Sequence, residues 1–311
     1  MRIFSTMNEI REAFPIPVAT LGNFDGVHRG HQSLFRQVQE RARQLRGTSM
    51  VLTFDPHPQK ILHPEQAFYL INHREEKQEI IRQCGIDVLI CMAFTREFAA
   101  QDPEEFVRQV LVGKLHIREM FVGYDSRFGQ GKKGSPEMLK SLGERYGFRT
   151  IMIPPVAHHG FVVSSTKIRQ LIRQGQVEQA AQLLNRPYTI DGSVVPGSQR
   201  GSHLLGYPTA NIDVMHELIP KNGVYICYVR WNGHRYPAVV NIGSNPTFDA
   251  HAITVEAHLL DFHHDLYGEQ ISARFLKRIR DEMTFPNPQS LADQIGHDVR
   301  IAEVYFRTNQ S

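Results

Sequence analysis

Short apolar runs alternate with amphipathic segments along the first half of the chain. Each run has the length of a buried strand, and the segments between them repeat apolar residues at helical spacing. This alternation is typical of a parallel sheet with crossover helices. The predicted strands are P-V-A-T-L-G, S-M-V-L-T-F, V-L-I-C-M-A-F and M-F-V-G, and the predicted helices start near Gly30, span about Arg74 to Cys84 and span about Pro103 to Leu111.

The pattern changes after a helical stretch from Ser165 to about Leu184. Beyond it, Gly and Pro separate short alternating runs such as G-V-Y-I-C-Y-V-R and T-V-E-A-H-L-L-D-F, which favours a small antiparallel barrel. Apolar residues recur at near-helical spacing from Pro288 to about Phe306, so we expect a helix that closes the barrel. The predicted domains are residues 1–184 and 185–311.

Composition and charge narrow the class of protein. The chain has 311 residues, of which 41% are hydrophobic, enough for two globular cores. Its formal net charge of +3 suits an anionic small molecule and falls short of the basic stripe of a nucleic-acid-binding protein. We expect no nucleic acid, and no obligate protein partner is evident.

Cysteine usage and hydropathy indicate a cytoplasmic protein. Cys84, Cys91 and Cys227 form no C-x-x-C pair, which fits a reducing compartment. The first ten residues are too polar for a signal peptide, and no apolar run approaches the roughly 20 residues of a membrane span. No membrane step is expected.

The stretch from Thr20 to Gln32 predicts an anion site. A strand ends at Gly22, a turn follows, and the helix that begins near Gly30 directs free N–H groups and its positive end toward one point. His28 and His31, one helical turn apart, can donate to phosphate oxygens as charge builds during transfer. A zinc pair is the alternative, but no third ligand is identifiable and a helix N-terminus repels a cation. The predicted nucleotide-binding residues of this turn are Gly22, Asn23, Phe24, Asp25 and Gly26.

A second motif, V-S-S-T-K-I-R from Val163 to Arg169, places hydroxyls and two cations at the start of a helix. Ser164 or Ser165 can cap this helix, while Thr166, Lys167 and Arg169 can bind the successive phosphates of a triphosphate. Together, G-x-F-D-G-V-H-x-G-H and S-S-T-x-I-R resemble the nucleotidyltransferase superfamily, in which the two motifs bracket the α-phosphate of a nucleoside triphosphate. We assign catalytic roles to His28, His31 and Arg169.

One glycine-rich stretch is set aside. G-Q-G-K-K-G, from Gly129 to Gly134, lacks the acidic residue about 20 positions further on that a dinucleotide site needs. Ser135 stands where a phosphate-binding P-loop requires Lys. The stretch is therefore expected to be a solvated basic loop.

The second half contains oxygen-bearing side chains suited to kinase chemistry. Thr209 and Asn211 lie two positions apart, on one side of an extended segment, and their oxygens suit Mg²⁺. Glu256 lies between apolar neighbours in a predicted strand. A single strand carboxylate is usually a surface residue, but one within reach of a hydroxyl can take its proton during phosphoryl transfer.

Several further segments carry a family resemblance. P-T-A-N, N-I-G-S-N-P-T-F, V-E-A-H-L-L-D-F, D-L-Y-G and F-L-K-R-I-R-D-E look like a riboflavin kinase module. With T-F-D-P-H-P and V-G-Y-D-S-R-F-G in the first half, nearly the whole chain resembles the prokaryotic bifunctional riboflavin kinase/FMN adenylyltransferases.

The resemblance implies a fold and two reactions. The fold is an α/β chain with an N-terminal Rossmann-like nucleotidyltransferase domain, built on a parallel sheet, and a C-terminal riboflavin kinase-like barrel closed by a helix. The barrel is expected to phosphorylate riboflavin with ATP and Mg²⁺, giving FMN. Adenylyl transfer from a second ATP then gives FAD and pyrophosphate.

The resemblance also implies roles for individual residues. Glu256 is the expected base of the kinase, with Thr209 and Asn211 on Mg²⁺. In adenylyl transfer the FMN phosphate is already anionic, so no base is needed. The expected flavin-binding residues are Asp125, Phe128, Arg280 and Glu282.

Three positions depart from the family pattern. Ser126 stands where Phe is usual, Lys132 where Arg is common, and Ser202 where a second Arg precedes P-T-A-N. These changes bear on flavin and ATP affinity more than on the type of reaction.

Two alternatives stay open. A nucleotidyltransferase of another pathway would explain the first half and leave the Glu256 constellation without a role. A flavin-binding storage or regulatory protein would have lost motif residues, whereas His28, His31 and Glu256 are present.

Overall fold

The computed structural model describes residues 1–158, 160–196, 206–244 and 253–309. They form two compact units, Met1–Ser165 and Thr166–Ser311. The domain boundary after residue 184, inferred from the sequence, stays a prediction.

The first unit is built on a six-stranded parallel sheet, as predicted. The strands lie in the order β1-β4-β3-β2-β5-β6, and every neighbouring pair is parallel. The strands are β1 (Arg2–Phe4), β2 (Pro17–Leu21), β3 (Thr48–Asp55), β4 (Val88–Ala93), β5 (Glu119–Gly123) and β6 (Arg149–Ile153).

Helices connect these strands. The helix predicted from about Pro103 to Leu111 is present: it is α-helical to Phe106 and continues as a wider helix over Val107–Lys114. The α-helices of the first unit are α1 (Arg29–Leu45), α2 (Pro58–Leu62), α3 (Arg74–Gln83), α4 (Arg96–Ala99), α5 (Pro103–Phe106) and α6 (Pro136–Tyr146). A small hairpin, β7 (Ala157–His158) and β8 (Phe161–Val162), precedes the second unit.

The central strands are buried on both faces, which explains their unbroken apolar runs. Successive residues of a strand point to opposite faces. In β3, Met50 and Leu52 therefore belong to one core and Val51 to the other. This layered core holds the strand ends rigidly, and the loops at those ends carry the first candidate site.

The second unit contains a closed antiparallel barrel of six strands, as predicted. The strands follow the order β10-β13-β12-β11-β14-β9, and pairing of β9 with β10 closes the ring. They are β9 (Tyr188–Val195), β10 (Ala210–Val214), β11 (Gly223–Trp231), β12 (His234–Ser244), β13 (Ile253–Leu259) and β14 (Gln270–Arg280).

Three helices accompany the barrel. The predicted helical stretch from Ser165 to Leu184 is two helices, α7 (Ser165–Arg173) and α8 (Val177–Leu184). They are separated near Gly175, whose φ of 75° suits glycine, and a Cβ there would lie 2.6 Å from Arg278 Nε. The closing helix α9 (Pro288–Thr308) packs Ala302 and Phe306 against the outside of the barrel. Across the described residues, no helix combines the length and apolar character needed to cross a membrane.

Candidate active sites

The turn after β2 adopts a backbone shape that its surroundings impose. Phe24, Gly26 and Val27 have φ values of 49°, 82° and 37°, in the left-handed region. This region is costly for residues other than glycine, so the turn needs external support. Gly22 has no side chain because a Cβ would lie 2.9 Å from the Phe24 ring.

Hydrogen bonds from three other segments supply this support. The Thr53 hydroxyl donates to the Asn23 carbonyl (3.1 Å), and the Ser165 hydroxyl donates to the Asp25 carbonyl (2.7 Å). The backbone N–H of Ile71 donates to Asp25 Oδ1 (3.0 Å). Asp25 therefore acts as a buried structural anchor of the turn, being only 3% exposed.

The two predicted histidines lie together at the start of α1. His28 is the N-cap, and its Nδ1 accepts the backbone N–H of His31 (3.3 Å). Because Nδ1 accepts, the proton of the neutral ring sits on Nε2, which remains a donor. The two rings stack with centroids 3.5 Å apart. Two imidazolium charges this close would repel each other, and an anion bound by both rings would offset that repulsion.

The second motif begins where the sequence predicted a helix start. Ser164 precedes α7 and Ser165 is its first residue. Thr166, Lys167 and Arg169 follow within the same helix, in the second unit. The Ser165 contact with Asp25 lies within the first unit.

An apolar pocket of about 570 Å³ opens beside the same turn. Gly22 and Asn23 of the turn line it, together with polar groups of Gln101, Arg127 and Lys132. Its walls are mainly apolar and include five aromatic rings, which suits a flat heteroaromatic ring. The phenylalanines that line it are Phe54, Phe94, Phe98, Phe106 and Phe128.

Of the two flavin-binding residues predicted in the first unit, one lines this pocket. Phe128 lines the pocket, whereas exposed Asp125 is not among the described residues that do so. Ser126, which departs from the family pattern, also lines it. The loop expected to be solvated also contributes, because Gly129, Gly131 and Lys132 are lining residues. Ser126 therefore faces the same pocket as the five phenylalanines.

The kinase residues form a row across the outer face of the barrel. Asn211 of β10 lies directly opposite Glu256 of β13, and Glu256 lies opposite Asn241 of β12. Directly opposed residues in antiparallel strands have Cβ atoms about 4.5–5.5 Å apart. A carboxylate is therefore flanked by an amide on each side.

Glu256 and Thr209 are in direct contact. The Thr209 hydroxyl donates to the Glu256 carboxylate, which lowers the pKa of Glu256, but burial has the larger effect and leaves that pKa raised. A carboxylate with a raised pKa is a stronger base than an ordinary one. The oxygens of Thr209, Asn211 and Glu256 are the hard ligands that Mg²⁺ prefers, so the residues present fit this ion.

The remaining flavin predictions lie at the end of β14. Arg280 forms a bidentate ion pair with buried Asp298 of α9, at 2.7–3.1 Å, and also donates to the Asp281 carbonyl. Glu282 accepts from the Asn222 side chain (3.2 Å). A Cβ on Gly243 would lie 2.7 Å from Glu282 Oε1 and 3.4 Å from Asn241 Nδ2, so Glu282 reaches the end of the row. Ser202 and residues 245–248 of the predicted motif lie outside the described residues.

Comparisons with known proteins agree with this geometry. A family model of FAD synthetase matches residues 12–167, and one of riboflavin kinase matches residues 184–306. The bifunctional riboflavin kinase/FMN adenylyltransferase of Buchnera aphidicola subsp. Acyrthosiphon pisum (strain APS) is 33% identical over 100% of both chains. The chain belongs to this bifunctional family.

Further relatives span most of the chain. The bifunctional riboflavin kinase/FMN adenylyltransferase of Escherichia coli (strain K12) is 36% identical over 93% of this chain and 92% of its own. A crystal structure named as a macrolide-efflux protein from Streptococcus pneumoniae superposes with a TM-score of 0.89 at 32% identity, covering 99% of each chain.

Sequence reasoning missed several residues that the fold brings into the two candidate sites. Asn241 is the first residue of the motif N-I-G-S-N-P-T-F, but nothing local distinguishes it from a structural asparagine. Asp298, in the middle of α9, gives no sign that it pairs with Arg280. Phe54 and Phe94 end predicted strands and look like core residues, whereas Phe98 lies in no predicted element. A prediction of strand register would have been needed to find Asn241.

Proposed function

We propose that the second unit converts riboflavin and ATP to FMN, and that the first unit converts FMN and a second ATP to FAD and pyrophosphate. The observation that carries this division is the apolar pocket of the first unit, which is lined by five phenylalanines and opens beside the turn after β2. A flavin ring in the pocket would place its phosphate near that turn. The second unit instead holds a base of raised pKa.

The kinase step needs a base and a stabilised phosphoryl group. Glu256 takes the proton of the riboflavin 5′-hydroxyl while the hydroxyl oxygen attacks the γ-phosphorus of ATP, and ADP leaves. Thr209 and Asn211 would hold Mg²⁺, which supplies charge neutralisation on the phosphates when bound. Arg280 and Glu282 bind the flavin at the end of the row.

The adenylyl step needs donors rather than a base. An FMN phosphate oxygen attacks the α-phosphorus of ATP, and pyrophosphate leaves. His28 and His31, with the backbone N–H groups of Gly22 to Gly26, stabilise the added negative charge. Ser164, Ser165, Thr166, Lys167 and Arg169 would bind the triphosphate, while Phe128 and Asp125 contact the flavin.

We expect the enzyme to work in the cytoplasm on riboflavin, FMN and ATP without an obligate protein partner. Its three cysteines are thiols in the structure, in keeping with a reducing compartment.

One incubation separates the candidate functions. The chain is incubated with riboflavin, ATP and Mg²⁺, and the flavins are resolved by chromatography. We expect FMN and then FAD. Unchanged riboflavin that stays bound to the protein would support a storage protein, and unchanged riboflavin that stays free would favour a nucleotidyltransferase of another pathway.

A further inference from the structure

The segment leading into β10 is held on the barrel by a histidine that the kinase mechanism does not use. His258 Nδ1 lies 2.8 Å from the Pro208 carbonyl oxygen. A carbonyl can only accept, so Nδ1 must carry the proton and donate. Because the Pro208 carbonyl belongs to the peptide bond before Thr209, this contact sets the plane of the peptide that leads into Thr209.

His258 and Glu256 lie two positions apart on β13 and therefore share its outer face. Glu256 accepts from the Thr209 side chain, and His258 binds the backbone just before Thr209. One strand thus holds both the side chain and the backbone of the same threonine. This double attachment leaves little freedom for the Thr209 hydroxyl.

Helix α9 holds the same segment from another side. The Tyr207 ring meets the His258 ring edge-on, with centroids 5.5 Å apart. The Tyr207 hydroxyl lies against buried Gly296 of α9, where a Cβ would come within 2.7 Å of the oxygen. Glycine is a poor helix former, so its presence inside α9 is consistent with a need for this space.

We propose that His258 is a positioning residue of the kinase: with Tyr207 seated over Gly296, it sets Thr209 relative to Glu256. The proposal rests on the proposed kinase roles of Thr209 and Glu256. His258 touches neither the substrate nor the transferred group in this scheme. It acts through the peptide before Thr209.

Substitutions of His258 test the hydrogen bond separately from the ring. Asn places a donor close to the position of Nδ1, whereas Gln places one close to Nε2. We expect His258→Ala and His258→Gln to raise the KM for MgATP in FMN formation by about three- to tenfold, the range of one lost hydrogen bond. His258→Asn should stay within about twofold of the wild type. Adenylyl transfer should be unchanged in all three variants.

A second measurement reports on the chain without substrate. Hydrogen exchange of the Thr209 backbone amide, followed in the absence of ATP and Mg²⁺, should be about three- to tenfold faster in His258→Ala and restored in His258→Asn. His263→Ala, an exposed histidine in the following loop, is the matched control and should change neither readout.

Gly296→Ala tests the contact between Tyr207 and α9, and this test does not depend on correct folding of the His258 variants. Alanine favours the helix, so the melting temperature should not fall, yet displacement of Tyr207 should raise the KM for MgATP. Tyr207→Phe in the same chain removes the colliding oxygen and should return the KM toward the wild-type value.

The outcomes separate this proposal from the proposed function. Unchanged exchange at Thr209 and an unchanged KM in both His258→Ala and Gly296→Ala would overturn the positioning role, even if Glu256→Gln abolished FMN formation. Equal defects in His258→Asn and His258→Ala would also overturn it. An active Glu256→Gln enzyme would instead refute the kinase roles on which it rests.

Discussion

The turn after β2 in the first unit and the outer face of the barrel differ in the kinds of polar groups that they present. The turn presents backbone N–H groups, a helix N-terminus and stacked histidines, all close in sequence. The barrel face presents Asn211, Glu256 and Asn241, which three different strands bring into one row. The first set consists of donors, and the second is centred on a carboxylate.

The difference matches the nucleophile of each proposed reaction. An FMN phosphate is already anionic, so a base would add nothing, while donors stabilise the charge that develops. The riboflavin hydroxyl is neutral and must lose a proton, which calls for a carboxylate. The predictions below test this contrast, beginning with the largest expected effect.

The first prediction asks where the two regions separate. Helix α8 contacts β9 and β14 and buries Val177, Leu183 and Leu184. A barrel fragment that starts at residue 185 lacks this burial, a gross contribution of about 5–9 kcal/mol at 1.5–3 kcal/mol per large apolar side chain, before the entropy of ordering the helix is subtracted. We expect a 166–311 fragment to fold and make FMN, and a 185–311 fragment to be largely unfolded by circular dichroism.

The boundary after residue 184 makes the opposite forecast. It requires a 185–311 fragment that folds and makes FMN, and a 1–184 fragment that makes FAD from supplied FMN. Equal melting temperatures for the two barrel fragments would favour that boundary.

The second prediction concerns the base. Glu256→Gln keeps the shape and the contact with Thr209 but cannot take a proton, so FMN formation should fall by about 10²- to 10⁴-fold. FAD formation from supplied FMN should persist. Near wild-type turnover of riboflavin by this variant would leave Glu256 as a carboxylate that only positions the flavin.

The third prediction concerns the histidine pair. Replacing His28 or His31 with Ala should lower adenylyl transfer by about 10²- to 10³-fold while riboflavin phosphorylation continues. His28→Asn is the control, because Asn preserves the helix cap without the ring. If His28→Asn were fully active, the cap alone would explain the role of His28.

The fourth prediction concerns the proposed metal ligands. Thr209→Ala or Asn211→Ala should raise the Mg²⁺ concentration needed for half-maximal FMN formation by at least about tenfold, since loss of outer-shell partners alone costs that much. A titration of activity against Mg²⁺ at saturating riboflavin measures the shift. A loss of turnover that no Mg²⁺ concentration restores would argue against a role on the metal.

The smallest effect is expected in the aromatic pocket. Ser126→Phe restores the ring of the family pattern and should strengthen FMN binding by about 0.5–1.5 kcal/mol, a fall of up to about tenfold in the KM for FMN. Ser141→Phe, on the exposed face of α6, is the control. An unchanged KM for Ser126→Phe would mean that the other five rings already fill this role.

Local patterns were sufficient to predict much of this molecule. The spacing of His28 and His31 predicts neighbours because a helix repeats every 3.6 residues. Thr209 and Asn211 predict a shared side because a strand repeats every two. The parallel sheet and the barrel follow from the same periods and are confirmed. The break near Gly175 was missed, although a glycine after a helical run is a local signal for the end of a helix.

By itself, the sequence determined the kind of each sheet and the main helices, because these depend on periods within one helical turn or one strand. It also named the residues that carry reactive groups. Only the tertiary structure decided which of these residues meet. Strand register placed Asn241 and Asn211 on either side of Glu256, and folding gathered five phenylalanines from separate elements around one pocket. Pairing across a sheet and burial in a pocket depend on distant segments, and no local period encodes them.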